Sequence, residues 1–168
     1  MKFPKDILVI DFEGTEEPAQ IGVVLLDKDT LAEKDSFKSY IMANLQGRVA
    51  SKSGITQEML AGAPTQAEIG KTLFQKFGTD IFIAPWVANY DMKNFEKIMD
   101  AAGIGFKQYD YHVFDIWPAA YLYLLKKGYT GSSHSEEMFQ EFGAKPRGLH
   151  DPLEDCRLAA DVLRKIAA

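Results

Sequence analysis

The side chains best able to do chemistry are four carboxylic acids and one histidine in three separate segments of the sequence. They are Asp11 and Glu13 near the start, Asp91 in the middle, and His150 with Asp155 near the end. Each has an ordinary structural explanation alone, because acids are common in turns and at helix starts. Taken together and in this order, they suggest one polar site assembled from three segments.

Four carboxylates gathered into one site need a cation. Each pair would repel by about 3 kcal/mol at about 5 Å and an effective dielectric near 20. Carboxylate oxygens without thiolates or clustered imidazoles favour Mg²⁺ or Mn²⁺ over zinc. The residues therefore predict a site for two divalent cations, with the ligands Asp11, Glu13, Asp91 and Asp155.

Such a site suits hydrolysis of a phosphodiester. Two cations about 3.5–4 Å apart stabilise both the attacking and the leaving oxygen of an in-line displacement. Histidine ordinarily titrates near neutral pH and can accept a proton from the attacking water. His150 is therefore the candidate general base.

Apolar runs predict the strands that place these acids. Residues 7–10 form a short continuous apolar run, typical of a strand buried on both faces, and Asp11 follows it. Because side chains two residues apart point to the same side of a strand, Asp11 and Glu13 share one side. Further strands are predicted at residues 20–26, 37–41, 81–87 and 111–116.

Capping residues and three- to four-residue apolar spacing predict the helices. Thr65 and Glu68 form a capping box that starts a helix ending at Gly78, and a second helix begins near Asp91 and ends at Gly103. Other helices are predicted at residues 119–125 and 135–142 and from the cap Asp151 nearly to Ala168, with one helical turn at residues 56–60.

The order of these elements predicts the fold class. Strands come first and strand–helix alternation follows, which favours an α/β layer structure with a mixed five-stranded sheet flanked by helices. A chain of 168 residues has the usual size of one domain, and we expect a single domain over residues 1–168.

Composition limits the classes of partner. Nineteen Lys and Arg against 24 Asp and Glu give a net charge of −5, so any nucleic-acid contact must be local. A single cysteine, Cys156, excludes an intrachain disulfide framework and fits a reducing compartment. The apolar runs are much shorter than the roughly 18 residues of a membrane span, and no signal-peptide pattern opens the chain. We expect a cytoplasmic protein without membrane contact.

Several segments of the chain resemble those of one enzyme family. They are residues 7–15 (ILVIDFEGT), 87–91 (VANYD) and 150–155 (HDPLED), the last running into residues 158–163 (LAADVL), together with residues 54–65 (GITQEMLAGAPT). The sequence is similar in these segments to the DEDDh branch of the 3′–5′ exonucleases, which includes proofreading exonucleases, ribonuclease T and oligoribonuclease. The resemblance implies a ribonuclease H-like fold.

The resemblance also implies an activity and a role for each site residue. Asp11 would bridge both cations, Glu13 and Asp155 would complete the tighter site, and Asp91 would hold the second ion partly through water. His150 would be the general base. Such an enzyme releases nucleoside monophosphates from a single-stranded or frayed 3′ end of DNA or RNA, and relatives that act alone are often homodimers.

Substrate contacts follow from the same resemblance. Residues after the first strand would hold the terminal nucleotide and its 3′-hydroxyl, and a short central segment would lie near that nucleotide. The expected contacts are Glu13, Gly14, Thr15, Met59, Leu60 and Asn89.

The sequence departs from the family pattern in two places. Many relatives have a His-Asn pair where this chain has Trp86 and Val87, which leaves Asn89 as the amide of that segment. Glu16 and Glu17 follow the first motif and would repel phosphate.

Four positively charged side chains elsewhere in the chain form either a small electropositive rim or an ordinary solvated surface: Lys126, Lys127, Lys145 and Arg147. His134 is interpreted as a surface or structural residue.

The sequence also allows two alternative functions. The segment Asp11 to Thr15 also resembles the start of haloacid-dehalogenase-type phosphatases, but Glu13 occupies their second aspartate position and no late Gly-Asp-x-x-x-Asp segment follows. The other alternative is a ribonuclease H-like module that binds nucleic acid without cleaving it, whose signature would be a broken carboxylate set.

Overall fold

The computed structural model describes residues 2–46 and 52–168. In these ranges the strands are β1 (Asp6–Gly14), β2 (Pro18–Leu26), β3 (Glu33–Tyr40) and β4 (Ile81–Pro85). The helices are α1 (Gln66–Phe77), α2 (Ala88–Ala101), α3 (Ile116–Lys126), α4 (Ser135–Glu141) and α5 (Pro152–Ala167), with short 3-10 turns at Glu58–Leu60 and Phe106–Gln108.

The strands form one mixed sheet in the order β3-β2-β1-β4. The first three strands are antiparallel neighbours, and β4 lies parallel to β1 on its other side. Helices pack on both faces of this sheet, so the predicted α/β class with a mixed sheet is confirmed. No helix in the described residues is both long enough and apolar enough to cross a membrane.

Successive side chains of β1 point to opposite faces of the sheet, and both faces are buried. Ile7 and Val9 face the core that includes residues of α3 and α5, whereas Leu8 and Ile10 face the core that includes residues of α1 and α2. A strand in this central position needs apolar residues on both faces. This is the pattern that the run at residues 7–10 predicted.

The predicted fifth strand is wrong. Residues 111–116 make only one parallel bridge to the sheet, between Val113 and Ile83. The backbone N–H of His112 donates to Asp110 Oδ1 at 3.0 Å, which turns the chain just before the bridge, and Tyr111 is 81% exposed. Since Asp115 then becomes the cap of α3, too few residues remain to form a strand, and the described sheet has four strands.

The predicted starts of α1 and α5 are confirmed, and each has the capping contacts that its sequence predicts. The Thr65 side chain accepts from the backbone N–H of Glu68, and the Glu68 side chain accepts from that of Thr65. At the start of α5, Asp151 Oδ1 accepts from the N–H groups of Leu153 and Glu154 at 3.0 and 3.3 Å. These contacts satisfy N–H groups that have no partner within the helix.

A close approach fixes the start of α5 against the sheet. A Cβ atom at Gly22 of β2 would lie 2.2 Å from the carbonyl carbon of Pro152 and 2.3 Å from the backbone nitrogen of Leu153. Only glycine leaves room for the helix backbone at this distance. The first turn of α5 therefore rests directly on β2.

Candidate active site

The end of β1 contributes the first two acids. Asp11 and Glu13 lie on one side of the strand, opposite Gly22 and Gln20 of β2. Asp11 Oδ2 is buried and has no hydrogen-bond partner among the described residues. A buried carboxylate oxygen without a donor is costly, and a bound cation would satisfy it.

The first turn of α2 contributes Asp91. Its side chain is buried, with the residue 4% exposed, and Oδ1 accepts from the backbone N–H of Phe12 at 3.2 Å. This bond joins α2 to β1 between the two acids of that strand. Burial raises the pKa of Asp91 to about 8, with smaller contributions from the charges of Glu13 and Asp115, although the Phe12 N–H acts in the opposite direction.

The start of α5 contributes His150 and Asp155. His150 Nδ1 lies 3.2 Å from Glu13 Oε1 and 3.6 Å from Asp155 Oδ2. Asp155 is one turn into the helix, where its N–H donates to Asp151 O at 2.8 Å. The segment before the helix is held by the His150 N–H, which donates to Lys52 O at 2.9 Å.

The charges of these acids act on one another. Burial raises the pKa of Asp11 well above its ordinary value, and the charges of Asp91, Asp155 and Glu13 raise it further. Burial also raises the pKa of Glu13, while the neighbouring His150 lowers it. Residues far apart in the sequence therefore form one anionic cluster whose full ionisation is unfavourable without a cation.

The residues fit a divalent metal ion. Ligand atoms of Glu13, His150 and Asp155 lie within 4.8 Å of one another. Asp11 also offers a buried Oδ2 that has no hydrogen-bond partner within the described part of the chain. Carboxylate oxygens are the donors that hard divalent cations prefer.

A cleft of about 660 Å³ opens over this cluster. Asp11, Glu13 and Asp155 line it, whereas the buried Asp91 is not among its lining residues. The remaining lining comes from residues near the ends of β4 and α4 and from the segments next to His150: Lys52, Trp86, His134, Ser135, Glu136, Phe139, Gln140, Pro146, Arg147 and His150 itself.

Arg147 lines the cleft, whereas the sequence suggested for it only a place in an electropositive rim or an ordinary solvated surface. Its side chain is 13% exposed, and Nη1 donates to Asp155 Oδ2 at 2.7 Å while Nε donates to Glu136 Oε2 at 2.7 Å. Its position three residues before His150 was the available signal. His134 also lines the cleft, where the sequence had suggested only a surface or structural role.

The expected substrate contacts lie outside the residues that line this cleft, except for Glu13. Leu60 is 2% exposed and packs with Ala43, Leu45 and Ile55. A nucleotide contact at this residue stays a prediction. Met59 is 42% exposed. Gly14 and Thr15 follow Glu13 at the end of β1 and the turn after it, and Asn89 is exposed in the first turn of α2.

Comparisons with known proteins place this geometry in a family. Residues 8–163 match the model of the RNase T family, described as exonuclease. DNA polymerase III subunit epsilon of Aquifex aeolicus (strain VF5) is 28% identical over 167 residues, which are 95% of this chain and 79% of the relative.

Solved structures share the fold. The nuclease domain of 3′hExo, described as a DEDDh family member and bound to rAMP, superimposes with a TM-score of 0.75 at 20% identity, over 99% of this chain and 94% of that chain. Exonuclease I of E. coli, in complex with a dT13 oligonucleotide, gives a TM-score of 0.77 at 14% identity, over 98% of this chain and 41% of that chain.

The family predicted from the sequence is thereby confirmed. Because the family model covers nearly the whole chain, the enzyme class follows with it, and the family uses divalent metal ions and acts on nucleic acid. The chain belongs to the RNase T family of exonucleases, as a DEDDh-type 3′–5′ exonuclease.

Proposed function

We propose that this exonuclease removes nucleoside monophosphates one at a time from single-stranded or frayed 3′ ends, with Mg²⁺ or Mn²⁺ as the metal. The observation that carries the proposal is the contact of Glu13 on β1 with His150 before α5, beside Asp155. It joins a base to a carboxylate cluster at the floor of one cleft.

Four carboxylates would hold the metal ions. We assign Asp11, Glu13 and Asp155 to one site and Asp91, with Asp11, to the other. Bound divalent cations would stabilise the charge that develops on the attacking and leaving oxygens of the phosphodiester. Asp91 also fixes the end of β1 through the Phe12 N–H, which supports a constant spacing between α2 and β1.

His150 is assigned as the proton acceptor for the attacking water. A neutral imidazole that donates its Nδ1–H to Glu13 keeps Nε2 unprotonated and able to accept a proton. The 3.2 Å contact of Nδ1 with Glu13 Oε1 supports this tautomer. The backbone bond from His150 to Lys52 then limits how far the ring can shift.

The substrate is a short stretch of a single strand. A cleft of about 660 Å³ has the size of a small-ligand site. Lys52 is a cationic side chain among its lining residues, whereas the charge of Arg147 is already paired with Glu136 and Asp155. One structural neighbour is bound to rAMP and another to dT13, so both RNA and DNA strands are candidate substrates.

A degradation assay tests the proposal. With Mn²⁺ or Mg²⁺ the protein should shorten 5′-labelled DNA or RNA oligomers one nucleotide at a time and release mononucleotides. Asp11→Ala should abolish release while the circular dichroism spectrum is unchanged. Asp100→Ala, an exposed aspartate on α2, serves as the control and should keep full activity.

Two results would contradict the proposal. Internal fragments would indicate an endonuclease, and metal-dependent binding of oligomers without any shortening would favour a binding module. Matched DNA and RNA series of graded length in the same assay identify the preferred substrate. The homodimer implied by the sequence resemblance stays a prediction, which light scattering of the purified chain checks.

A further inference from the structure

We propose that Glu136, acting through Arg147, is a positioning residue for Asp155 and keeps the cleft able to bind cations. The inference deepens the proposed function and rests on it. It starts from a chain of contacts that runs from α4 through Arg147 to the metal-site carboxylate.

Glu136 holds both the backbone and the side chain of Arg147. Its Oε1 accepts from the backbone N–H of Arg147 at 3.1 Å, and its Oε2 accepts from Arg147 Nε at 2.7 Å. Gln140, one turn further along α4, donates to Oε1 at 3.0 Å. The carboxylate of Glu136 is therefore fixed from two sides and fixes residue 147 at two points.

Arg147, held in this way, fixes the position of the Asp155 carboxylate by a hydrogen bond. Its Nη1 donates at 2.7 Å to Asp155 Oδ2, the same oxygen that lies 3.6 Å from His150 Nδ1. The guanidinium carbon lies 4.9 Å from the centre of the Phe139 ring, which stacks on Trp86 at 4.3 Å. Two acids and an aromatic face thus set the plane of the guanidinium, and the guanidinium sets the orientation of the Asp155 carboxylate.

The charge of Arg147 needs compensation at this place. A cation bonded to a metal-site carboxylate repels a divalent ion bound beside it. Glu136 cancels that charge at 2.7 Å, and the bond from Arg147 holds the pKa of Glu136 down at about 2, so Glu136 is ionised at neutral pH. The pair therefore supplies a fixed hydrogen-bond donor to Asp155 with little net charge.

Partners of this kind influence metal affinity. Groups that orient a ligating carboxylate typically change metal affinity or activity by about 10- to 100-fold when they are replaced. Glu136→Gln keeps the size of the side chain but leaves the Arg147 charge uncompensated. Its effect should therefore require Arg147.

The experiment is a double-mutant cycle with calorimetric titration of Mn²⁺ into the metal-free protein. Glu136→Gln should weaken Mn²⁺ binding by about tenfold. In an Arg147→Gln background the same substitution should cause no further weakening, because the uncompensated cation is gone. Glu137→Gln, an exposed glutamate on the same helix, is the matched control and should leave binding unchanged.

Cleavage gives a second readout. In Glu136→Gln the Mn²⁺ concentration for half-maximal cleavage should rise by the same factor, and excess Mn²⁺ should restore most of the rate. A merely structural role would lower the melting temperature without this rescue. Melting curves of all variants are recorded in chelator to compare their folds.

The outcomes separate the inference from the proposed function. Equal weakening by Glu136→Gln in both backgrounds, or none in the wild-type background, would overturn the inference while wild-type cleavage stands. Wild-type protein that neither binds Mn²⁺ nor cleaves would contradict the proposed function itself.

Discussion

Asp11 on β1 lies directly opposite Gly22 on β2, and the backbone of Pro152 covers that glycine. The missing side chain lets α5 begin against the sheet at the position of the first acid. Since Asp155 lies one turn into α5, this close approach brings the last acid of the sequence to the first. The geometry of the acidic cluster therefore depends on Gly22, a residue without a side chain that could take part in the reaction.

Gly22→Ala should damage stability and activity together. The added Cβ would lie 2.2 Å from Pro152, so α5 or β2 must shift. We expect a loss of about 1–3 kcal/mol in the free energy of unfolding, as for other overpacked sites, and a large loss of cleavage rate. Urea denaturation and the oligomer assay measure the two effects.

Gly105→Ala is the control for this substitution, because nothing lies within 4 Å of a Cβ atom at residue 105. It should change the free energy of unfolding by no more than a few tenths of a kcal/mol. The cleavage rate should stay at the wild-type value. Equal stability of the Gly22→Ala and Gly105→Ala variants would show that α5 adapts to the added methyl group.

Asp11→Asn should stabilise the metal-free protein while it abolishes cleavage. Burial and three neighbouring carboxylates oppose the charge of Asp11, and Oδ2 has no donor among the described residues. A neutral amide removes that repulsion, which we expect to add about 1–3 kcal/mol at pH 8 in chelator. Thermal melting checks this.

Addition of Mn²⁺ should reverse the order of the two proteins. A ligand at 100 times its Kd stabilises a folded protein by about 2.7 kcal/mol, and only the wild type keeps the full ligand set. A variant that melts below the wild type in chelator would contradict the account of repulsion.

The stability of the metal-free protein should fall between pH 5 and pH 8. The pKa of Asp91 is raised from 3.8 in its ordinary state to about 8 in the fold, chiefly by burial, so the folded state binds a proton that the unfolded state has released. This contribution is present at low pH and is lost as the pH rises through about 8. The slope is at most about 1.4 kcal/mol per pH unit for each such proton.

Melting curves in chelator across this range measure the slope, and Asp91→Asn should make it shallower. Groups with lowered pKa values, such as Asp110 and Glu136 at about 2, act in the opposite direction only below this window. A flat profile in the wild type would show that Asp91 is ionised in the metal-free fold. Mn²⁺ should also flatten the profile, because it stabilises the ionised acids.

Local signals in the sequence predicted most of the fold. The capping box at Thr65 and the cap at Asp151 fixed two helix starts, since a cap depends only on neighbouring residues. The end of β1 was predicted by one apolar run. The prediction of a fifth strand was wrong because the residue types at positions 111–116 do not reveal the turn in which the N–H of His112 donates to Asp110.

Contacts across loops could not be predicted. Arg147 bonds to Glu136 and Asp155, which are 11 and 8 residues away in the sequence. The segment around Arg147 is a loop, and no periodic pattern in its residues predicts its conformation. Leu60 shows the same limit, because its burial against Leu45 and Ile55 depends on how two loops pack. The acids were predicted as one set from their order and separations along the chain and from the resemblance of their segments to one enzyme family.

His150→Gln separates the role of a proton acceptor from that of a metal ligand. Glutamine can still donate a hydrogen bond to Glu13 but cannot accept a proton from water near neutral pH. We expect cleavage to fall by about 10²- to 10⁴-fold, the usual contribution of a general base, while Mn²⁺ affinity measured by calorimetry stays within about threefold. His112→Gln is the control, because that histidine contacts Asp110 and is exposed. A parallel loss of Mn²⁺ affinity and cleavage would instead place the imidazole among the ligands, where its distances of 3.2 Å to Glu13 and 3.6 Å to Asp155 also allow it.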